Sequence, residues 1–402
     1  MKCKNRKSQN KKLRQIVRYA YNNCKFYHDK WKEEKILPKD IKTVDDLRKL
    51  PIITKEDLQK NLLDIIPKNR NLIELRTSGS TGVPLSIKLS KKELYYRAFQ
   101  RLRILRKYGL KLTDKQFIIT EPRHTKELLS LTNIYRNIGF LRKQKASIYE
   151  DQKFIINKIN KFQPDYIHGF ASSIKLLSQK IIDQNKKFNL RFITTTAEIV
   201  DKKTKKTIEK AFNCTHYDIY NCVELGDIAW ECPNCNKYHI NESQIIVELL
   251  DESNNVVKRN DEGIITCTSL INKTTPLIRY KLGDKSIVGT SNCNKQALTH
   301  IFGREIDYIT LKNKVKISPY TITNKLGSII GLKKYLVFQE SLNKITIKIE
   351  EKNKLKFNTI VKEAKKQLKK ITEEKIKINF KQVKNIPLEK SGKLGVVKSN
   401  IK

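Results

Sequence analysis

The chain has 402 residues, 39% of them hydrophobic, and carries 83 Lys and Arg against 41 Asp and Glu, a formal net charge of +42. That length accommodates about two or three domains with a sizeable apolar core, which excludes disorder throughout. The basic residues are spread along the whole sequence, a compositional bias rather than a nucleic-acid-binding stripe. Residues 1–15 are charged and lack the apolar segment of a signal peptide, and no stretch reaches the ~18 uncharged apolar residues of a membrane span. A cytoplasmic protein without a membrane span is therefore expected. Eight cysteines are too few for a disulfide scaffold in a chain this long, so free or metal-bound thiols are expected.

Over residues 12–34, Leu13, Ile16, Val17, Ala20, Tyr21 and Cys24 recur at helical spacing and predict one amphipathic helix. Thr54 is placed to cap the helix that follows Leu50-Pro-Ile-Ile-Thr-Lys. After the unusual run Thr77-Ser-Gly-Ser-Thr-Gly-Val-Pro84, a helix is expected over 91–108 and a buried strand over 116–120. Helices at 151–162 and 172–185 then alternate with strands at 166–167 and 192–195, a pattern that implies parallel α/β sheets. Residues 244–309 change to short strands and turns, a β-rich subdomain. Beyond a turn after Arg304, a hairpin (334–339 and 344–350), a helix (357–371) and a strand (376–383) suggest a small α+β domain. The fold class read from this is α/β, with a large N-terminal domain over 1–303 and a mobile C-terminal α+β domain over 304–402.

Ser78-Gly-Ser-Thr-Gly82 gathers glycines and hydroxyls where backbone amides can converge on phosphate oxygens. It is not a Walker A loop, because no Lys follows Gly82. Residues 77–84 resemble the phosphate loop of the adenylate-forming enzymes, the superfamily of acyl-CoA synthetases, adenylation domains and luciferases. Four further blocks resemble that family's motifs in its order: Tyr220-Asn-Cys-Val-Glu224, Pro276-Leu-Ile-Arg-Tyr-Lys-Leu-Gly-Asp284, Gly303-Arg-Glu-Ile-Asp307 and Pro387-Leu-Glu-Lys-Ser-Gly-Lys393. Within it, Tyr19-Ala-Tyr, Phe26-Tyr, Leu50-Pro-Ile-Ile-Thr-Lys, Pro164-Asp-Tyr-Ile-His-Gly169 and Glu231-Cys-Pro look like the branch of phenylacetate-CoA ligase, coenzyme F390 synthetase and CapK.

The resemblance implies an ATP-dependent ligase: a carboxylate attacks the α-phosphate of Mg-ATP, and a thiol, usually coenzyme A, then displaces AMP. Anion attacking anion demands charge neutralisation and positioning. By the resemblance, Thr77, Ser78, Gly79, Ser80, Thr81 and Gly82 hold the ATP phosphates, and Glu224 holds Mg2+. Asp284 accepts from the ribose hydroxyls, with Arg304 a cation near ribose or phosphate, and Ala197, Glu198, Tyr220 and Asn221 frame the nucleotide. Lys393 reaches the α-phosphate and carboxylate oxygens. A hinge near residues 305–307 lets the C-terminal domain present Lys393 and then admit the thiol. Two positions depart from the family pattern: Asn221 replaces a Gly, and Val223 replaces a hydroxyl residue.

His168, Gly169 and Cys222 are candidates for the substrate pocket. Cys232-Pro-Asn-Cys235 with His239 has the spacing of a tetrahedral zinc site, and the branch's Cys-rich turn makes Cys293 the fourth ligand. Cys267, inside a strand, reads as a small core residue. The expected partners are a small-molecule carboxylic acid, ATP and CoA, with no specific nucleic acid. The competing functions are AMP transfer to a non-CoA acceptor, as in the coenzyme F390 synthetase-like and CapK-like proteins, and a basic nucleic-acid-binding protein without ligase activity.

Overall fold

A computed structural model describes residues 2–66, 72–76, 85–120, 140, 142–291, 293, 296–304, 307–312, 315–327, 329–351, 357–372, 376–387, 394 and 397–401. The chain divides into two compact units. One comprises Met1–Gln116, Arg123–Lys143 and Tyr217–His300; the other comprises Phe117–Pro122, Gln144–His216 and Ile301–Lys402. Among the described residues, no helix is long and apolar enough to cross a membrane.

In the first unit, the helix expected over 12–34 is two helices, Lys2–Asn23 and Lys25–Glu33. Cys24 between them takes extended backbone (φ −123, ψ 110), which interrupts the helical ladder. The predicted face is nevertheless the buried one: Leu13, Ile16, Val17, Ala20 and Cys24 are all 2% exposed or less. Thr54 caps Lys55–Lys60, its hydroxyl accepting from the Asp57 amide at 3.1 Å. Ser90 and Glu93 form the equivalent box on Lys91–Lys107. The strands Ile73–Arg76 and Ser86–Leu89 pair antiparallel, with Arg76 opposite Ser86.

Among the described residues, seven strands of this unit are sheet neighbours in the order Ile245–Leu250, Glu262–Ser269, Tyr280–Thr290, Gln296–Arg304, Tyr238–Ile240, Gly226–Glu231, Thr215–Cys222. The β-rich texture expected over 244–309 is present. The strands from 215 to 240 had no counterpart in the sequence reading, because His216, Asp218, Asp227 and His239 interrupt their apolar runs. These four polar residues are buried.

The second unit holds Phe192–Thr196, Tyr166–Phe170, Gln116–Thr120 and Lys143–Ser147 as sheet neighbours in that order, the first two parallel in register. Helices Gln152–Phe162, Ala171–Asp183 and Lys202–Phe212 cover it through Ile155, Ile159, Ile174, Leu177, Ile208 and Phe212. A separate core, built from Ile309, Val337, Ile347, Ile360, Leu368, Val397 and their neighbours, lies within residues 309–397. There Leu332–Ser341 and Lys344–Glu351 form the expected hairpin, the helix is Phe357–Thr372, and Lys377–Gln382 adds a parallel strand. A fourth strand, Val397–Ser399, pairs parallel with Leu332–Ser341 and is too short to carry a sequence pattern. A self-contained core is what an α+β domain over this stretch requires.

Candidate active site and metal cluster

The candidate residues fall into one set in each unit. In the first, Tyr220 and Cys222 end the strand Thr215–Cys222, and a turn carrying Glu224 leads into Gly226–Glu231. The register shifts between Tyr220 and Asn221, a bulge that re-aims the strand end. Asn221 does not adopt left-handed backbone, so its replacement of the family's Gly meets no conformational obstacle. Gly226 takes φ +73, which closes the turn.

Asp284 lies inside the eleven-residue strand Tyr280–Thr290, just after Gly283 at φ +83. Tyr220 donates its hydroxyl to Asp284 Oδ2 at 2.6 Å. Burial, and then the adjacent Asp284 carboxylate, push the tyrosine's ionisation well above its ordinary value, so at neutral pH it remains a donor. This bond brings two of the sequence blocks into one place. Glu224 is 8% exposed, and Tyr280, in the Asp284 block, donates to its Oε1 at 3.4 Å. A buried carboxylate is a hard anionic ligand of the kind Mg2+ takes beside substrate phosphates. Burial also pushes the Cys222 thiol well above its usual range, leaving a neutral sulfur rather than a nucleophilic thiolate.

Three side chains that the sequence reading passed over build this turn. The helix Lys91–Lys107 aligns Glu93, Arg97 and Arg101 at four-residue spacing, hence on one face. Glu93 accepts from the Lys273 and Thr274 amides at 2.6 and 2.9 Å; Arg97 donates to the Val223 and Glu224 carbonyls; Arg101 makes a bidentate pair with Asp227. The Glu93 to Arg101 spacing was visible in the sequence. Their partners, over a hundred residues away, were not.

Cys232, Cys235, His239 and Cys293 converge as expected, with their ligand atoms all within 4.8 Å of one another. Cys232 and Cys293 Sγ are 3.9 Å apart, and Cys235 Sγ lies 3.3 Å from His239 Nε2. Two thiolates on tetrahedral zinc, each ~2.3 Å from the metal, stand about 3.8 Å apart, so the spacing fits. The turn is closed by Cys232 N–H to the Lys237 carbonyl at 2.9 Å and by Asn236 in left-handed backbone. Cys267, by contrast, is fully buried in its strand.

In the second unit, His168 and Gly169 lie on Tyr166–Phe170, a longer strand than expected. His168 Nδ1 is 2.9 Å from the Thr194 hydroxyl. A Cβ on Gly169 would stand 3.0 Å from the Ile119 carbonyl, a tight approach to backbone, so strand packing favours glycine there. Ala197 follows the strand Phe192–Thr196 at φ 73, a strained conformation for a residue with a Cβ. Glu198 accepts from the Ser172 amide and, with its other oxygen, from the Leu394 amide, both at 2.7 Å. The residue following Lys393 is thereby tied to the segment expected to frame the nucleotide. Arg304 ends the strand Gln296–Arg304. Gly303 before it has φ +95, and a Cβ there would meet Ile199 at 3.0 Å and Pro319 at 3.2 Å. Thr77, Ser78, Gly79, Ser80, Thr81, Gly82 and Lys393, and residues 305–306 of the hinge block, lie outside the described residues.

Among solved structures, 2-hydroxyisobutyryl-CoA ligase in its postadenylation state superposes with a TM-score of 0.79 at 18% identity, covering 94% of this chain and 86% of that one. The anthranilate CoA ligase AuaEII superposes with a TM-score of 0.63 at 16% identity, over 80% of this chain and 64% of that one. The chain has the adenylate-forming ligase fold. By sequence it is similar to protein CapK of Staphylococcus aureus, 26% identical over 98% of this chain and 89% of that protein. It is also similar to phenylacetate-coenzyme A ligase of Escherichia coli, 24% identical over 86% of this chain and 82% of that protein. Residues 309–400 match the CapK C-terminal domain family, the stretch that carries its own core.

Proposed function

We propose that this adenylate-forming fold activates a small carboxylic acid with ATP, giving acyl-AMP and pyrophosphate, and passes the acyl group to coenzyme A. The observation that carries the reading is the joining of the Tyr220–Glu224 and Tyr280–Asp284 blocks by the Tyr220–Asp284 and Tyr280–Glu224 hydrogen bonds. Asp284 would hold the ribose, its orientation set by Tyr220. The Thr77–Gly82 segment and Arg304 would bind phosphate oxygens. Glu224 would ligate Mg2+, which neutralises phosphate charge when bound. Lys393 would reach the α-phosphate, with residues 304–402 as the moving part. Acid-dependent exchange of pyrophosphate into ATP tests the reading.

A second reading, transfer to an acceptor other than CoA, is favoured by the match of residues 309–400 to the CapK C-terminal domain. Product analysis with and without CoA separates the two.

Cys232, Cys235, His239 and Cys293 would hold a structural zinc, four ligands leaving no open position for catalysis. We expect one equivalent of zinc in protein purified without chelator, lost in Cys232→Ser together with several kcal/mol of stability. Trp230, whose ring meets the His239 ring edge-on at 5.1 Å, should report the loss as a fluorescence change. Metal-free, stably folded wild-type protein would contradict this assignment.

A further inference from the structure

We propose that Arg97 is a positioning residue for the Glu224 carboxylate; the proposal rests on the adenylation reading above. Its Nη1 donates to the Val223 carbonyl at 2.9 Å and its Nη2 to the Glu224 carbonyl at 2.5 Å. The Glu224 carbonyl also accepts from Asn272 Nδ2 at 3.1 Å. Two adjacent peptide groups are thus pinned by one planar fork, and rotation about the backbone bonds at the Glu224 Cα, which set the direction its side chain leaves the chain, would disturb these hydrogen bonds. A lysine ammonium offers a point charge in place of a fork.

The geometry around the fork is closed. A Cβ at Gly226, φ +73, would come within 3.3 Å of Arg97 Cδ, so the turn lies directly against the arginine stem. One turn of helix to either side, Glu93 holds the 273–274 amides and Arg101 holds Asp227. The helix face therefore fixes both the Glu224 turn and the segment that supplies Asn272. The hydrogen bonds of Arg97 run to the main-chain carbonyls of Val223 and Glu224, so it reaches the chemistry through the turn that carries Glu224. The single hard carboxylate it orients suits a magnesium ion shared with substrate phosphates.

The test compares wild type with Arg97→Ala and Arg97→Lys in two measurements. One is the Mg2+ concentration giving half-maximal acid-dependent pyrophosphate exchange. The other is Mn2+ affinity in the presence of a non-hydrolysable ATP analogue, read by electron paramagnetic resonance. We expect the Mg2+ requirement to rise roughly tenfold or more in Arg97→Ala, a parallel loss of Mn2+ affinity, and partial recovery in Arg97→Lys. A purely structural role would lower the yield of folded enzyme or kcat and leave both metal measurements unchanged; that result overturns the proposal. If Arg97→Ala fails to fold, Arg97→Lys decides: wild-type metal affinity in that variant overturns it. Absence of exchange in wild type with every acid overturns the adenylation reading instead, and the Mn2+ titration still judges Arg97 on its own.

Discussion

Replacing Lys393 with Ala is expected to reduce acid-dependent pyrophosphate exchange roughly 100- to 1,000-fold, while thiolysis of supplied acyl-AMP stays within a few-fold of wild type. The first half-reaction brings a carboxylate anion onto a phosphate anion, so a cation at the reacting oxygens removes a repulsion that positioning alone cannot. The second half-reaction attacks a carbonyl and has no such need. The chain on the C-terminal side of Lys393 is held at two points: the Leu394 amide on Glu198, and Val397–Ser399 paired with Val337–Gln339. The loss should therefore be chemical rather than structural, with the melting temperature unchanged. Exchange that survives in Lys393→Ala would refute the role given to this residue.

Arg279→Ala is expected to destabilise the protein by about 3–5 kcal/mol. Arg279 and Glu248 form an ion pair whose side chains are 4% and 10% exposed. Burial pushes the Glu248 carboxyl up and Arg279 pulls it back, so removing the guanidinium strands a buried carboxylate. The same guanidinium donates to the Leu50 carbonyl at 2.6 Å, and next to it the Ile53 amide donates to the Arg279 carbonyl at 3.0 Å. Two of the motif stretches, 50–55 and 276–284, are stitched together at this point. Denaturant unfolding checks the magnitude. The double replacement Arg279→Met with Glu248→Leu should recover most of the loss, because it leaves no unpaired charge. A loss below about 1 kcal/mol in Arg279→Ala would contradict this account of the pair.

What was legible in the sequence was chemistry that repeats locally. The face of residues 13–24, the Thr54 cap, the C-terminal hairpin and the Cys232, Cys235 and His239 cluster are written in spacing, and each is found as that spacing implies; Cys293, which joins the cluster, came from the resemblance. Cys24 breaks its helix without a Gly or Pro to announce it. The strands Thr215–Cys222 and Gly226–Glu231 were missed because their polar residues are satisfied by tertiary partners: Asp218 receives the Tyr238 hydroxyl, and Asp227 the Arg101 fork. Asp284 was read from a motif and found within a long strand, its Gly283 supplying the left-handed residue that a turn would otherwise have explained. Arg97 and Arg101 were hidden among many basic residues in a chain of net charge +42, and Arg279 stood inside the 276–284 motif without a role of its own. The burial of Arg279 and the tertiary partners of the half-buried Arg97 and Arg101 set them apart from the solvated majority, and both are properties of the fold.

The most direct test is pyrophosphate exchange into ATP by wild-type protein across a panel of aryl, fatty and small carboxylic acids. Mg2+-dependent exchange with at least one acid, over a background near zero without acid, is the expected result. No exchange with any of them, together with binding to arbitrary DNA that falls steeply with salt, would contradict it and turn the positive charge from background into function.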